Sequence, residues 1–292
     1  MTGPRDIAVL SNPTSGKGRG ARARALTIQR LHQAGVHVRD LAGADAAESG
    51  ALARAAVADG VDAVVAVGGD GLVHVAVQAL AGTGVPLGIV PAGTGNDAAR
   101  ALAIDPGDPA AAVDRVLAGR TRVVDLARSG ATYYSTVLCA GFDAIVNERA
   151  NTMTWPRGQM RYNLATIAEL RTFRPLSYVL DLDGEVLRTD AMLVAVGNGP
   201  SFGGGLRITE GASLDDGLLD VVVIKPLSKV ALVRTYPKLF RGTHVTHPQY
   251  ERHLVRRVTI AAPGIVTYAD GERFGPLPLT VECAPGALTV LS

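Results

Sequence analysis

Three short loops in the first hundred residues carry the residue types that bind phosphate and a divalent cation. Residues 12–18 combine glycines with Asn, Thr, Ser and Lys, residues 68–71 read Gly-Gly-Asp-Gly, and residues 91–97 read Pro-Ala-Gly-Thr-Gly-Asn-Asp. Glycine lets backbone N–H groups approach a phosphate closely, and a carboxylate among glycines can hold Mg²⁺ against it. The loops therefore indicate a site for a nucleoside triphosphate and its metal ion.

Each loop also has a plainer interpretation. The first is not a Walker loop, because Ser11 stands where that motif needs glycine and Gly18 where it needs Ser or Thr, so a simple turn would explain it too. The second lacks the GxGxxG spacing of dinucleotide folds, which argues against hydride transfer. In the third, Thr94 can donate to phosphate, whereas Asp97 can bind metal or merely cap a helix.

Two acidic segments in the second half of the chain could complete this chemistry. Residues 215–217 read Asp-Asp-Gly before an apolar run, a pattern that suits either a divalent cation or an ordinary Asp-Gly turn. Residues 270–272 read Asp-Gly-Glu after a strand-like run. Glu272 could act as a general base if the fold brings it to the phosphate loops.

The surrounding patterns predict an α/β amino-terminal domain. Short β-branched runs at 7–10, 36–41, 63–67 and 87–90 alternate with amphipathic helical patterns at 21–33, 46–59 and 72–80. Such alternation is typical of a three-layer domain with a parallel sheet. Ligands bind such sheets at the carboxyl ends of the strands, where all three loops lie.

A different pattern follows from about residue 132. Short alternating strands are predicted at 133–139, 178–182, 192–196, 218–224 and 257–261, with an Asp-Gly hairpin at 183–184 and helices at 161–171 and 229–240. We therefore predict a nucleotide-binding domain over residues 1–127 and an antiparallel β-sandwich domain over residues 128–292. The last residues of the second domain can return to the first.

Bulk composition narrows the functional class. Hydrophobic residues form 47% of the 292, yet no apolar run approaches the roughly 20 residues that cross a bilayer. The first residues lack the pattern of a secretory signal, so we expect a soluble, cytoplasmic protein. Cys139 and Cys283 have no metal-like spacing and are expected to be core thiols.

Basic residues concentrate between positions 225 and 257, a segment that contains eight Lys or Arg and a single acid, Glu251. This basic patch is either a solvated surface or a face attracted to anionic lipid or nucleic acid. Few aromatic residues interleave with the cations, so we expect no nucleic-acid partner. A second candidate for contact with lipid is the segment 153–161, in which Trp155 lies between methionines and arginines.

With these segments in order, the chain resembles the diacylglycerol kinase catalytic family, which includes sphingosine and ceramide kinases and is distantly related to NAD kinases and phosphofructokinases. The marks are Asn12-Pro13 with Gly16, residues 68–71, residues 91–97 with Arg100, the glycines at 203–205, and the segments 215–217 and 270–272. The resemblance implies transfer of the γ-phosphate of ATP to a lipid hydroxyl. Diacylglycerol is the first choice of acceptor. A sphingoid base, ceramide or another lipid alcohol stays open, as does a non-catalytic nucleotide or lipid sensor.

The resemblance also implies roles for particular residues. Glu272 would accept the proton of the lipid hydroxyl, while Asp70 would serve the Mg²⁺ of the nucleotide, with Asp97 and Asp125 extending its carboxylate network. A structural Mg²⁺ would bind the Asp216 carboxylate and the carbonyls of Ser213 and Leu218. The ATP site would comprise Asn12, Pro13, Thr14, Ser15, Gly16, Gly68, Gly69, Asp70, Gly71, Leu72, Val73, His74, Val75, Gly93, Thr94 and Asn96.

One stretch departs from the family pattern. After Gly-Gly-Asp-Gly the family usually has Thr, an apolar residue, Asn and Glu, whereas this chain has Leu72, Val73, His74 and Val75. This puts side-chain contacts with nucleotide in doubt but leaves the backbone cradle. The function further implies docking on an anionic membrane through the basic patch, as a peripheral protein. A homodimer is plausible by analogy.

Overall fold

A parallel sheet forms the amino-terminal half of the protein in a computed structural model, which describes residues 3–12, 18–142, 144, 146, 149, 153, 155 and 174–292. Its strands run in the order β2-β1-β3-β4 and are β1 (Asp6–Ser11), β2 (His37–Leu41), β3 (Ala63–Gly68) and β4 (Leu87–Pro91). Every residue of β3 and β4 is buried, as expected for apolar strands covered on both faces. The four predicted strands are confirmed.

Helices cover both faces of this sheet. They are α1 (Arg19–Gln33), α2 (Ala46–Ala58), α3 (Asp70–Leu80), α4 (Asp97–Ala101) and α5 (Pro109–Ala118). Because β2 and β3 lie on opposite sides of β1, right-handed crossovers place α1 and α2 on opposite faces. Accordingly α1 packs with α5 and α2 packs with α3, which gives the predicted three layers.

The second half is an antiparallel sandwich. One sheet has the order β12-β11-β10-β7-β14-β15, and other strands extend the amino-terminal sheet. The elements are β5 (Thr121–Ser129), β6 (Thr132–Tyr134), β7 (Val137–Gly141), β8 (Leu176–Leu182), β9 (Glu185–Ala191), β10 (Leu193–Gly197), β11 (Leu219–Ile224), α6 (Lys229–Leu239), a 3-10 helix (Thr243–Thr246), β12 (Tyr250–Val255), β13 (Arg257–Ala261), β14 (Val266–Ala269), β15 (Glu272–Pro276) and β16 (Leu279–Leu291).

The last strand joins the two halves. β16 pairs with β13 at its start and with β5 along its length, and Val290 then pairs in parallel with Leu87 of β4. One mixed sheet therefore runs through both halves, in the order β2-β1-β3-β4-β16-β13-β8-β9. The predicted boundary between residues 127 and 128 falls inside β5, and the division into two domains stays a prediction.

The strand predicted at 133–139 is wrong as a single element. It breaks into β6 and β7 at Ser135 and Thr136, whose backbone N–H groups donate to the side chain of Asp270 instead of to a neighbouring strand. The Asp183-Gly184 hairpin is confirmed between β8 and β9, with φ angles of 51° and 99°. The helix predicted at 161–171 lies outside the described residues.

The described part of the chain contains no helix that is both long enough and apolar enough to cross a membrane. Cys139 is buried and Cys283 is half-buried, each packed with apolar side chains, as expected for core thiols. Burial raises the pKa of the Cys283 thiol to about 12.

Candidate active site

The second and third phosphate loops meet at the carboxyl ends of β3 and β4. The second and third loops are so close that a Cβ on Gly93 would lie 2.4 Å from the Cα of Gly69. Arg19, at the start of α1 after the first loop, donates from Nη2 to the Gly93 carbonyl at 2.9 Å. Asn12 is exposed at the end of β1, whereas Pro13, Thr14, Ser15 and Gly16 lie outside the described residues.

Asp70 is held at the start of α3 by backbone groups of the third loop. Its Oδ2 accepts from the N–H of Asn96 at 2.6 Å, and its Oδ1 accepts from the N–H of Ala98 at 3.2 Å. Burial, followed by the neighbouring charge of Asp97, raises the pKa of Asp70 to about 6 despite these hydrogen bonds. The site therefore favours a positive charge beside this carboxylate.

Glycine keeps that carboxylate accessible. A Cβ on Gly95 would lie only 2.5 Å from Asp70 Oδ2, so a larger residue there would cover the oxygen. Asn96 supports the loop in a left-handed conformation, with φ of 57°, and its side chain bonds both the N–H and the carbonyl of Gly93. Thr94 is exposed at the tip of the loop, where its hydroxyl can reach a ligand.

Asp97 joins the first half of the protein to the second. Its Oδ1 accepts from the Ser201 hydroxyl at 3.0 Å and the Gly205 N–H at 2.8 Å, and its Oδ2 accepts from the Gly204 N–H at 2.6 Å. Gly203, Gly204 and Gly205 all have positive φ, which turns successive N–H groups toward one anion. Asp97 is 4% exposed, so it acts on Asp70 through its charge and on the glycine loop through hydrogen bonds.

Asp270 is the anchor of a second cluster across the cleft. Its Oδ1 accepts from the N–H and hydroxyl of Thr136 at 2.8 and 2.6 Å, and its Oδ2 accepts from the Ser135 N–H at 2.9 Å. The Nδ1 atom of His74 lies 3.2 Å from Oδ2. Burial is the largest influence and favours the neutral acid, but these donors and the charge of His74 hold the pKa of Asp270 below its usual value.

This anchor fixes the hairpin that carries Glu272. Asp270 and Gly271 are the two turn residues between β14 and β15, with φ angles of 52° and 85°, as a type I′ turn requires. Glu272 follows at once and is exposed, and its Oε1 lies 2.9 Å from the position that a Cβ on Gly71 would take. The structure thus brings Glu272 against the second phosphate loop.

The stretch that departs from the family pattern divides between core and cleft. Val73 is buried, and Leu72 and Val75 are partly buried against the amino-terminal core. Their contact with nucleotide stays a prediction. His74 instead faces the Asp270 cluster. Burial is the largest influence on His74 and lowers its pKa, but the hydrogen bond and charge of Asp270, with the charge of Glu272, leave that pKa above its ordinary value.

The second predicted metal site lies on the turn before β11. Asp216 is exposed and its Oδ1 accepts from the Leu218 N–H at 3.0 Å, while Ser213 donates from Oγ to Asp215 at 2.8 Å. Asp125 belongs to this turn rather than to Asp70, because its two oxygens accept from the N–H groups of Gly217 and Gly286, each at 2.7 Å. Its assignment as a metal ligand stays a prediction.

Across the described ranges, no group of three or more His, Cys, Asp or Glu side chains is arranged to hold a metal ion. Both predicted sites depend on one carboxylate together with backbone carbonyls or a nucleotide, so they need no such group.

Sequence reasoning missed several residues that organise the cleft. His74 is predicted only as a nucleotide-site residue within the stretch that departs from the family pattern, Ser201 is not predicted at all, and the glycines at 203–205 serve only as a mark of the family. Gln78 was also missed, although it ties α3 to β6: its Nε2 donates to the Tyr133 carbonyl at 2.7 Å and its Oε1 accepts from the Tyr133 N–H. The Gly-Gly-Gly run was the one available signal, since consecutive glycines indicate backbone that other residues rarely adopt.

Family comparisons agree with this architecture. Residues 6–129 match the diacylglycerol kinase catalytic domain, and residues 136–292 match the YegS C-terminal NAD kinase beta sandwich-like domain. The two matches together span the phosphate loops and the hairpin of Glu272. The chain belongs to the diacylglycerol kinase catalytic family, a family of lipid kinases.

Individual relatives extend over nearly the whole chain. A diacylglycerol kinase of Mycobacterium tuberculosis (strain CDC 1551 / Oshkosh) is 44% identical over 291 residues, covering 98% of this chain and 94% of the relative. A diacylglycerol kinase of Bacillus subtilis (strain 168) is 28% identical over 274 residues, covering 92% and 90%. The crystal structure of a diacylglycerol kinase from Bacillus anthracis str. Sterne superposes with a TM-score of 0.80 at 23% identity, covering 100% and 98%, and supports the fold alone.

Proposed function

We propose that this kinase transfers the γ-phosphate of ATP to the free hydroxyl of diacylglycerol, yielding phosphatidic acid and ADP. The observation that carries the proposal is the position of Glu272, which is exposed and lies against Gly71, the residue that follows the partly buried Asp70. The candidate base and the candidate ligand of the cation therefore belong to the same region of the site, because Gly71 directly follows Asp70. The names of the relatives, which are diacylglycerol kinases, support diacylglycerol as the acceptor.

Backbone groups of the second loop are suited to the phosphates. Gly69 precedes the first turn of α3, an eleven-residue helix whose free N–H groups and dipole favour an anion at this end. Asn12 and Thr94 are exposed at the rim of the same edge, where an amide and a hydroxyl can contact nucleotide. These groups would hold the γ-phosphorus at a fixed place between Asp70 and Glu272.

Glu272 would remove the proton that the reaction must release. As the lipid oxygen attacks the γ-phosphorus, its hydroxyl proton passes to the Glu272 carboxylate, and the bond between the γ-phosphorus and the β,γ-bridging oxygen breaks with its electrons leaving on ADP. An exposed carboxylate on a rigid hairpin can accept that proton and later return it to water. Asp270 fixes the hairpin and therefore acts as a positioning residue.

The donor chemistry at Asp70 fits Mg²⁺. The carboxylate is partly buried and feels the charge of Asp97, its pKa is raised to about 6, and Gly95 leaves its Oδ2 uncovered. A hard divalent cation prefers such an oxygen ligand. Mg²⁺ held by Asp70, when bound with the nucleotide, would neutralise the charge of the phosphate oxygens.

The test is a transfer assay with ATP radiolabelled at the γ-phosphate. Purified protein, Mg²⁺ and mixed micelles containing diacylglycerol, sphingosine, ceramide or no lipid are compared, with Glu272→Gln alongside. We expect label in phosphatidic acid and a rate roughly 10²- to 10⁴-fold lower in Glu272→Gln, because a general base contributes about that much. Glu185→Gln, at an exposed glutamate on β9, is the matched control and should keep the wild-type rate.

Other outcomes of this assay would change the proposed acceptor, the proposed activity or the proposed base. Label in the sphingosine or ceramide product instead would keep the kinase and replace the acceptor. ATP binding without label in any lipid would favour the nucleotide or lipid sensor. Equal rates in Glu272→Gln and the wild type would remove Glu272 from the reaction.

A lipid acceptor requires the protein to meet a membrane surface, and two regions support this part of the proposal. Trp155 is 76% exposed, as an interfacial aromatic anchor would be. The basic patch at 225–257 supplies cations for anionic headgroups. Peripheral attachment and a homodimer remain proposals that vesicle binding and sedimentation can test.

A further inference from the structure

The outer side of α6 carries an exposed apolar stripe. Val230, Val233, Tyr236 and Phe240 are 60%, 59%, 47% and 49% exposed. Val230, Val233, Pro237 and Phe240 follow one another at intervals of three and four residues, so they lie on one side of the helix. Tyr236 lies beside them, with its ring against the ring of Phe240. Burial of this helix on the sandwich leaves these side chains outside, and we name these four exposed side chains the α6 face.

The opposite side of α6 already has a partner. Leu239 packs against the apolar cluster of Ile208 and Val222 on the outer surface of the six-stranded sheet. Leu232, Thr235 and one side of Tyr236 line a small apolar cavity of about 40 Å³, so Tyr236 lies at the edge between the packed side of α6 and the α6 face. One apolar side of α6 therefore packs on the sandwich, and a second apolar side is exposed to solvent. A continuous exposed apolar stripe of this kind marks an interaction surface.

Basic side chains flank the α6 face, and the helix carries only positive side-chain charges. Arg234, Lys238 and Arg241 are exposed, and the sequence from 229 to 241 contains no Asp or Glu. Elsewhere in the basic patch cations are committed to acids, since Lys225 pairs with Glu251 and Arg252 pairs with Asp220. Arg257 lies 3.9 Å from Glu282. Among the described residues, the cations of the basic patch without an acid within ion-pair distance are therefore Arg256 and the three exposed cations on α6 and its carboxyl end.

The same helix is joined to the catalytic cleft. The Arg207 N–H donates to the carbonyl of Leu239 at 3.0 Å, and Phe202 packs in the same apolar cluster as Leu239. Residues 203–205 lie between these two contacts and bond Asp97 through the N–H groups of Gly204 and Gly205. One short loop therefore contacts α6 at its ends and the Asp97 carboxylate at its centre.

We infer that the α6 face docks on an anionic lipid bilayer. Its apolar side chains enter the boundary between headgroups and acyl chains, and Arg234, Lys238 and Arg241 contact the lipid phosphates. The inference rests on the proposed function, because an acceptor confined to a membrane requires such a surface. A second copy of the chain is a poorer occupant, since a symmetric contact would place these cations opposite one another without an acid.

The experiment measures sedimentation of the full-length protein with phosphatidylcholine vesicles, with and without phosphatidylglycerol, in the absence of ATP and diacylglycerol. We expect binding that requires the anionic lipid and weakens with salt. Val233→Glu should weaken it about tenfold or more, because it replaces a buried apolar contact with a charge facing anionic lipid. Val186→Glu is the matched control, at a valine that is 58% exposed on β9, and should bind as the wild type.

A charge variant gives an independent measurement. Arg234→Glu combined with Arg241→Glu should remove most of the difference between anionic and neutral vesicles, because each cation near the surface strengthens binding several-fold. Equal vesicle binding by the wild type, Val233→Glu and the charge variant would overturn the inference. A wild-type dimer that Val233→Glu converts to monomer in analytical ultracentrifugation, without a change in vesicle binding, would assign the α6 face to a second copy instead.

Kinase activity separates this inference from the function on which it rests. With a short-chain diacylglycerol dissolved in water, Val233→Glu should retain the wild-type rate, because α6 lies outside the catalytic cleft. With diacylglycerol in anionic vesicles its rate should fall in parallel with binding. Absence of lipid phosphorylation by the wild type in both assays would remove the proposed function, and the vesicle measurements would still decide whether the α6 face docks on lipid.

Discussion

Asp70 and Asp270 are acids on opposite sides of one cleft, and the protein treats their charges in opposite ways. Asp70 accepts two backbone hydrogen bonds, and its nearest charge is another acid, Asp97. Asp270 accepts from two backbone N–H groups and a hydroxyl at 2.9 Å or less, and it faces His74. The resulting pKa of Asp70 is raised to about 6, whereas that of Asp270 is lowered.

The difference separates a binding carboxylate from a structural one. A bound cation stabilises a carboxylate most where the protein itself leaves the negative charge uncompensated. Asp70 is such an acid, and the neighbouring glycine Gly95 leaves its Oδ2 accessible. An acid whose charge is fully compensated cannot respond to such a cation and instead fixes the groups around it. Asp270 holds the backbone between β6 and β7, the side chain of His74 on α3, and the hairpin that carries Glu272 in place.

The largest expected effect is that of Asp270→Asn. The amide keeps the side-chain shape and tolerates the left-handed backbone at this position, but it removes the charge that His74 and Thr136 face. We expect a loss of about 3 kcal/mol in the free energy of unfolding at neutral pH, because removing one member of a buried ionic network leaves the other groups unpaired. Urea denaturation followed by circular dichroism measures it.

Asp114→Asn is the control for that measurement. Asp114 pairs with Arg30 at 2.7 Å but its side chain is 58% exposed, and exposed pairs contribute about 0 to 1 kcal/mol. Similar unfolding free energies for the two variants would show that burial of Asp270 does not make its charge structurally important.

The same substitution at Asp70 should act in the opposite direction. A raised acid pKa means that the folded state binds the proton more tightly than the unfolded state, so stability is highest below pH 4 and is lost as pH rises from the unfolded value of 3.8 through about 6. Over this range the wild type should lose up to about 3 kcal/mol relative to Asp70→Asn. The measurement is urea denaturation of both proteins with EDTA between pH 4 and pH 7.5.

Only the change with pH is diagnostic, because an amide at residue 70 also turns a donor toward the N–H groups of Asn96 and Ala98 and adds a constant penalty. Parallel stability curves for the two proteins from pH 4 to pH 7.5 would contradict the raised pKa. Phosphoryl transfer by Asp70→Asn should be lost over the same range if Asp70 serves the nucleotide's metal ion.

Local sequence was sufficient for the Asp70 side of this comparison. A β-branched strand pattern at 63–67 followed directly by glycines and a carboxylate at 68–71 predicts a phosphate-binding turn, and β3, the loop and α3 follow in that order. The acid at 97 and the base at 272 were likewise visible as residue types in turn motifs. Their chemistry was therefore a prediction from sequence, although the assignment of roles came from family resemblance.

Contacts between distant segments could not be predicted in this way. His74 and Asp270 are separated by 196 positions, and nothing in either local pattern indicates the other. The strand break at Ser135 exists because the carboxylate of Asp270, in the turn after β14, accepts hydrogen bonds from the N–H groups that a strand would use, so the unbroken β-pattern of the sequence is misleading there. Likewise β16 reaches β4 only through the packing of the whole sheet.

The smallest expected effect is that of His74→Ala, which removes the cation of the Asp270 cluster and keeps its uncharged donors. A raised histidine pKa adds stability that is fully present below the unfolded value of about 6.5 and is lost as pH rises through the folded value. The free energy of unfolding of the wild type should therefore exceed that of His74→Ala by about 1.5 to 3 kcal/mol at pH 6, the range for a hydrogen bond to a charged group, and by less at pH 9. Urea denaturation at the two pH values measures this.

His74→Asn tests whether the histidine also positions Glu272. The amide of asparagine can donate to Asp270 without carrying charge, so His74→Asn should restore part of the stability but none of its pH dependence. If the Asp270 anchor aims Glu272 at Gly71, His74→Ala should lower kcat several-fold while leaving KM for ATP near the wild-type value, and His74→Asn should recover most of kcat. A rise in the KM for ATP at unchanged kcat would instead place His74 among the nucleotide contacts. That result would contradict the purely structural role of the Asp270 cluster.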